Sequence, residues 1–374
     1  MVPGSSSAES LFASGSLLPD LHHPVSGAMF WQNWYTCLLA FYAGTTYAAC
    51  PSGASAQNSS IGGFEYQYPW PIHYHEVVSQ QQQLCQAYMD VAPPTQYHND
   101  TPTSTKTAVL LHGKNFCGVT WEVTARELLA QGYRVILPDR IGFCKISKPD
   151  WYQFSLQQLA ANTKDILDHL NVTGGVTVIG HSMGGMLAAR FTLMYPALVS
   201  QLVLVNLLGL EDWKAKGVPY RSIDAIYATE LATNYTSLRT YQQRTYYSGT
   251  WQPAYDVWVN MLLQVYQGTR RLTFAFSQAL TTDMVMTQPI VYELPLLGGT
   301  RTLLLIGLTD NTAIGSAWSP PEVPAQLGHY DVLGKAAKNS IGENCTLIEF
   351  DDLGHAPQIQ APERFHEALL GWLG

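Results

Sequence analysis

The sequence predicts an α/β protein, with a mostly parallel sheet of about eight strands and helices between the strands. Three observations predict it. Short, continuous apolar runs recur along the chain, helical patterns fall between them, and one long aromatic-rich interval breaks the alternation. Continuous apolar runs suit strands buried on both faces, and strand–helix alternation is the pattern of a doubly wound sheet.

Taken in order, residues 1–28 are rich in Ser, Gly, Pro and Leu and show no periodicity. Met29 opens an apolar segment that ends at Ala54-Ser55-Ala56, the small-residue pattern of a leader cleaved before Gln57. It reads as a secretory signal or as an apolar arm packed on the domain. Residues 1–56 are therefore assigned to a leader. "IHYHEVVSQ" and "QLCQAYMDV" read as an antiparallel hairpin. Parallel strands are expected at 107–113, 133–139, 175–182, 201–207, 301–307 and 345–352. Helices are expected at Thr120–Gln131, Ser155–Leu170, Met183–Met194 and Pro362–Leu373. The interval from 207 to 300 carries no core-like strand, and a structureless loop of that length is improbable. It is read as a helical cap domain. The core is thereby split into 57–206 and 301–374.

Composition limits the partners. Charged residues make up 13% of the chain, about half the share usual in globular domains. No apolar run reaches the roughly 20 residues of a membrane span. The net charge of −8 and the lack of a basic run exclude nucleic acid as the expected partner. A small-molecule substrate is expected instead. Asn58, Asn99, Asn171, Asn234 and Asn344 each stand in N-x-S/T, which with the leader points to a secreted chain rather than a cytoplasmic one. A cut after Ala56 would leave Cys85, Cys117, Cys144 and Cys345, enough for up to two disulfides.

The chemistry centres on "VTVIGHSMGG" at 176–185. It holds Gly180, Ser182 and Gly184 in G-x-S-x-G, after a buried strand and before a helix. Side chains at the glycines would collide in so sharp a turn. A serine nucleophile needs a base, and His355 in "DDLGHAP" follows the last strand. Asp310 in "LLIGLTDNTAIG" follows the preceding strand and would fix the imidazole tautomer. Asp351 and Asp352 finish a strand and are read as capping or solvent-facing. His112 is read as holding its loop. His73 and His75 share a strand face, but no acidic or Cys cluster completes a metal site there. No phosphate-loop or dinucleotide fingerprint is found, so no cofactor and no metal are implied.

These residues, with "LLHGKNF", "LPDRIGFCKISKP", "LVLVNLLGLEDW" and "GHAPQIQAPERFHEALL", resemble the α/β-hydrolase superfamily in its serine-nucleophile, capped branch. The resemblance runs from about Phe64 to the end. It implies Ser182 as nucleophile, His355 as base and Asp310 as acid. It also implies an oxyanion hole from the amides of Lys114 and Met183, with Asn115 assisting. Serine at the elbow excludes the branches whose nucleophile is aspartate, the epoxide hydrolases and haloalkane dehalogenases. The expected function is hydrolysis of a carboxylic ester of a small apolar or aromatic substrate. A meta-cleavage C–C bond hydrolase, an acyltransferase or perhydrolase, and a catalytically silent binding protein remain open. Cys144 stands where the family's loop usually has glycine. It is expected either to strain that loop or to pair with Cys117.

Overall fold

The computed structural model describes residues 50–51, 63–94 and 106–374. Apart from Cys50 and Pro51, the leader assigned to residues 1–56 lies outside the described residues, as do the sequons at Asn58 and Asn99. Eight strands form one sheet: β1 (Ile72–Ser79), β2 (Gln82–Val91), β3 (Thr107–Leu111), β4 (Arg134–Pro138), β5 (Val176–His181), β6 (Val199–Val205), β7 (Arg301–Gly307) and β8 (Cys345–Phe350). Their spatial order is β1-β2-β4-β3-β5-β6-β7-β8. β2 pairs antiparallel with β1 and β4, and every other pairing is parallel. β3 and β5 are buried at every position, as strands covered on both faces must be.

Four helices flank the sheet near the site: α1 (Glu122–Ala130), α2 (Leu156–His169), α3 (Met183–Met194) and, at the chain end, α10 (Pro362–Leu373). α2 shows why these segments are helical. Ser155 caps it by accepting from the Gln158 amide at 3.0 Å. Leu156, Leu159, Ala160, Thr163, Ile166 and Leu167 then bury one face at helical spacing.

Between β6 and β7 the chain forms a helical insertion of α4 (Ile223–Leu231), α5 (Tyr235–Tyr246), α6 (Asp256–Gln267) and α7 (Arg271–Thr287). Asn234 and Ser237 form a capping box at the start of α5. Most of the aromatic residues here pack among themselves: Tyr247 stacks on Tyr255 at 3.8 Å, and Tyr266 meets Phe274 edge-on at 4.8 Å. The aromatic richness is therefore chiefly that of a core. The sequence reading missed α8 (Tyr330–Ile341), which fills the gap between β7 and β8. Its buried face, Tyr330, Gly334, Ala337 and Ile341, follows helical spacing, a periodicity the sequence reading did not pick out. A one-turn α9 (Pro357–Gln360) precedes α10. No helix among the described residues is long and apolar enough to cross a membrane.

Two disulfides tie loops to the sheet. Cys117 bonds Cys144, joining the segment after β3 to the loop after β4. Cys144 is not among the residues with positive φ; Gly142 takes that conformation at +85°. The second bond corrects the cysteine inventory drawn from the sequence. Cys85 pairs with Cys50, and Cys345 is free and buried. A cut after Ala56 would leave the piece carrying Cys50 attached to β2 through this bond. The loop closed by Cys117 and Cys144 spans 27 residues. Replacing both cysteines by serine is expected to cost about 3 kcal/mol of stability, read as a fall of several degrees in Tm. An equal Tm for the oxidised wild type and the double variant would contradict the bond.

Candidate active site

Gly180, Ser182, Gly184 and Gly185 show why the sequence folds into an elbow at the end of β5. A Cβ on Gly180 would lie 2.1 Å from the Gly184 carbonyl oxygen, and one on Gly184 would lie 2.1 Å from that of Leu111. A Cβ on Gly185 would meet the Leu207 Cβ at 2.4 Å. No side chain fits at these distances, so the glycines allow α3 to start directly behind the strand. Ser182 itself takes φ 58° and ψ −124°, a conformation costly for a residue with a side chain. The strain lifts its hydroxyl out of the sheet edge.

That hydroxyl meets His355. Ser182 Oγ lies 2.8 Å from His355 Nε2, and His355 Nδ1 lies 2.7 Å from Asp310 Oδ2. With the imidazole proton on Nδ1, serine donates to Nε2 and Nδ1 donates to the carboxylate. All three residues are buried. The structure thus brings together three residues from the ends of β5, β7 and β8. Asp351 and Asp352 are exposed, and Asp352 pairs with Arg364 at 2.9 Å.

Asp310 is held by more than the histidine. Its Oδ2 also accepts from Asn206 Nδ2 at 2.8 Å, and its Oδ1 accepts the Thr312 amide at 2.8 Å and hydroxyl at 2.6 Å. Asn206 sits just past β6, and its Oδ1 in turn accepts the Gly307 amide at 2.9 Å. The sequence reading missed Asn206 and Thr312. Thr312 stands in the quoted "TDNTAIG" and could have been suspected; Asn206 left no local signal.

His181 was also missed. It donates from Nε2 to the His355 carbonyl at 2.7 Å and so holds the backbone of the base. Burial, with the neighbouring His355 next, keeps its pKa well below that of an ordinary imidazole. His112 anchors the adjacent loop. Arg140 Nη2 donates to the Gly113 carbonyl at 2.9 Å, and His112 Nδ1 lies 2.8 Å from the same carbonyl and 2.7 Å from Arg140 Nη2. Burial first and the Arg140 charge second hold His112 well below 6.5.

The expected oxyanion donors flank Ser182. Met183 opens α3, so its amide has no carbonyl to serve within the helix. Lys114 follows Gly113, where an added Cβ would lie 3.1 Å from the Ser182 Cβ. Its side chain does not point into solvent: Nζ binds Glu230 Oε1 in α4 at 2.8 Å. Asn115 Nδ2 donates to the Tyr246 hydroxyl at 2.9 Å. The Tyr246 ring lies 5.1 Å from His355 and 5.4 Å from Phe116. The insertion therefore touches both His355 and the loop beside Ser182. His73 stacks near Tyr88, and His75 binds Asp165 at 2.7 Å. No group of three metal-ligating side chains occurs among the described residues.

Comparison with known proteins agrees with this architecture. A family model described as the alpha/beta hydrolase fold matches residues 107–271. The crystal structure of a probable hydrolytic enzyme from Pseudomonas aeruginosa PAO1 is 52% identical, with a TM-score of 0.79, and the alignment covers 86% of this chain and 100% of that one. The chain belongs to the α/β-hydrolase fold family. A cis-3-alkyl-4-alkyloxetan-2-one decarboxylase of Xanthomonas campestris pv. campestris is 30% identical over 142 residues, covering 36% of this chain and 47% of the relative. A 2-hydroxy-6-oxononadienedioate/2-hydroxy-6-oxononatrienedioate hydrolase of Paraburkholderia xenovorans is 39% identical over 114 residues, covering 29% and 39%. The chain thus spans less than half the length of these two curated relatives.

Two outcomes are expected from this geometry. Asn206→Ala removes one buried donor from Asp310 and should lower kcat about tenfold with little change in KM. An unchanged kcat would show that Thr312 alone suffices. His112 and His181 are neutral in the fold but bind protons when unfolded. Stability is therefore full above pH ~6.5 and lost as pH falls below it, by about 1.4 kcal/mol per pH unit for each histidine. Urea midpoints between pH 7 and 5 measure this slope, and His112→Gln should reduce it.

Proposed function

We propose that the chain is a serine hydrolase that cleaves a carboxylic ester, or a similar acyl bond, of a small substrate through an acyl-enzyme on Ser182. The observation that carries the reading is the buried relay of Ser182, His355 and Asp310 on a strained elbow. In the proposed reaction Ser182 Oγ attacks the carbonyl carbon while His355 Nε2 takes its proton. Asp310 holds the imidazole and stabilises the imidazolium. The amides of Met183 and Lys114 receive the oxyanion. His355 then returns the proton to the leaving alcohol, and water, deprotonated by the same imidazole, releases the acid.

The C–C bond hydrolase reading is favoured by one observation, the 39% identity over 114 residues to the Paraburkholderia hydrolase. A dienone substrate followed spectroscopically separates the two. We further propose passage through an oxidising compartment. The two disulfides support it. So do the exposed sequon asparagines Asn171, Asn234 and Asn344.

The test is labelling with a fluorophosphonate probe, followed by a p-nitrophenyl ester panel of increasing acyl length. The wild type should label once and turn over short esters. Ser182→Ala should lose both with an unchanged circular dichroism spectrum. Asp310→Asn should lose roughly 10³–10⁴-fold in kcat, because the imidazole tautomer is no longer fixed. Retained turnover in Ser182→Ala would end the assignment.

A further inference from the structure

A cavity of about 640 Å³ lies between the helical insertion and the loop after β7. Ser182, Asp310 and His355 do not line it, but residues that neighbour or bond them do. Lys114 and Asn115 from the loop beside Ser182 line it, and so does Thr312, which bonds Asp310 through both amide and hydroxyl.

Its charged lining is Lys114, Arg221, Glu230 and Arg244. The one carboxylate is fully engaged. Glu230 Oε1 takes Lys114 Nζ at 2.8 Å, and Oε2 takes the Tyr266 hydroxyl. Arg221 has no carboxylate partner among the described residues. It donates to the Ala225 carbonyl at 3.1 Å and to the Thr229 hydroxyl at 2.6 Å, and its guanidinium lies 5.2 Å from the Trp318 ring centre. Arg244 is exposed at the cavity's edge and has neither a hydrogen bond nor an ion pair among the described residues. Three cations against one carboxylate leave this wall at a formal +2, in a chain whose formal charge is −8.

Two guanidiniums without counter-ions in a partly enclosed cavity concentrate positive potential there. A guanidinium held beside Trp318 by a helix carbonyl and the Thr229 hydroxyl, both on Nη2, keeps its other N–H groups for a planar anion. The group that matches is a carboxylate. The rest of the lining includes Trp318, Ile226, Leu238 and Leu327, which suit an apolar body attached to that anion.

We propose that this cavity binds a carboxylate on the substrate through Arg221 and Arg244. The ester cleaved at Ser182 then carries an anionic group remote from the scissile bond. The inference rests on the serine-hydrolase reading for its chemistry, but its binding half can be tested without any turnover.

The experiment compares mono-p-nitrophenyl adipate, which carries a free carboxylate, with neutral p-nitrophenyl hexanoate. The kcat/KM ratio of anionic to neutral ester should fall about tenfold in Arg221→Gln or Arg244→Gln and further in the double variant, mostly through KM. The ratio should also fall as salt rises from about 0.05 to 0.5 M. In parallel, calorimetry on Ser182→Ala should detect adipate, with a Kd at least about tenfold weaker once both arginines are replaced. If esters are not hydrolysed yet adipate binds in an arginine-dependent way, the cavity assignment stands and the reaction assignment falls. If esters are hydrolysed at a ratio that the arginines and salt do not move, and adipate does not bind, the carboxylate site is overturned while Ser182 keeps its role. Binding of inorganic phosphate in preference to adipate would likewise overturn the carboxylate assignment.

Discussion

Helix α3 lies so close to β3, β5 and the segment after β6 that Gly180, Gly184 and Gly185 have no room for a Cβ. That approach fixes much else. It forces Ser182 into a positive φ, because only a sharp reversal connects a strand to a helix packed directly behind it. It sets the Met183 amide beside the serine, because the first turn of a helix has free N–H groups. The strain is sustained by the buried sheet. The Ser182 amide bonds the Val205 carbonyl at 3.0 Å, and the Ser182 carbonyl accepts from Gly185, Met186 and Leu208. A backbone so over-determined can hold a conformation that a free chain avoids.

The relay is stiffened from two further directions. Below the carboxylate, Asn206 and Thr312 leave Asp310 little freedom to rotate away from His355. Above it, the insertion reaches down. Tyr246 accepts from Asn115, stacks near His355 and receives the Ala356 amide on its carbonyl at 3.4 Å. The Lys114–Glu230 pair joins the same loop to α4. Being only partly exposed, this pair lies between the weak surface case and the costly buried one. Movement of the insertion would therefore disturb His355 and the loop beside Ser182 together.

Much of this was legible in the sequence because it rests on local pattern. The six parallel strands are continuous apolar runs, and the elbow is a contiguous motif whose glycines have a steric reason. Ser182, Asp310 and His355 could be grouped from the sequence because each follows a strand end, and the structure places their side chains in contact. What was illegible depends on contacts between distant segments. Asn206 looks like any polar residue after a strand; only the fold puts it beside Asp310. His181 was one of 11 histidines until its ring met the His355 carbonyl. Helix α8 was legible and overlooked: Tyr330, Gly334, Ala337 and Ile341 recur at helical spacing. The Cys50–Cys85 bond crosses a boundary that a cleavage-site pattern had drawn.

Average charge misled in a similar way. A chain with 13% charged residues and a net −8 looks uniformly acidic and weakly charged. Its cations are not evenly spread. Arg140, Lys145 and Lys148 are buried around Asp139, where burial lowers the lysines' affinity for protons, Lys148 to about 7. Asp139 answers them, accepting the Gly118 and Lys145 amides at 2.7 and 2.9 Å and the Tyr68 hydroxyl at 2.7 Å. Buried charges of this kind act on the loops they pin and are hidden from a diffusing ligand. Arg221 and Arg244 differ because they border open space. The net charge still argues against a polyanion such as nucleic acid, whose binding needs a broad basic surface. It says nothing about a single carboxylate, because a ligand inside a cavity responds to the few charges on its walls.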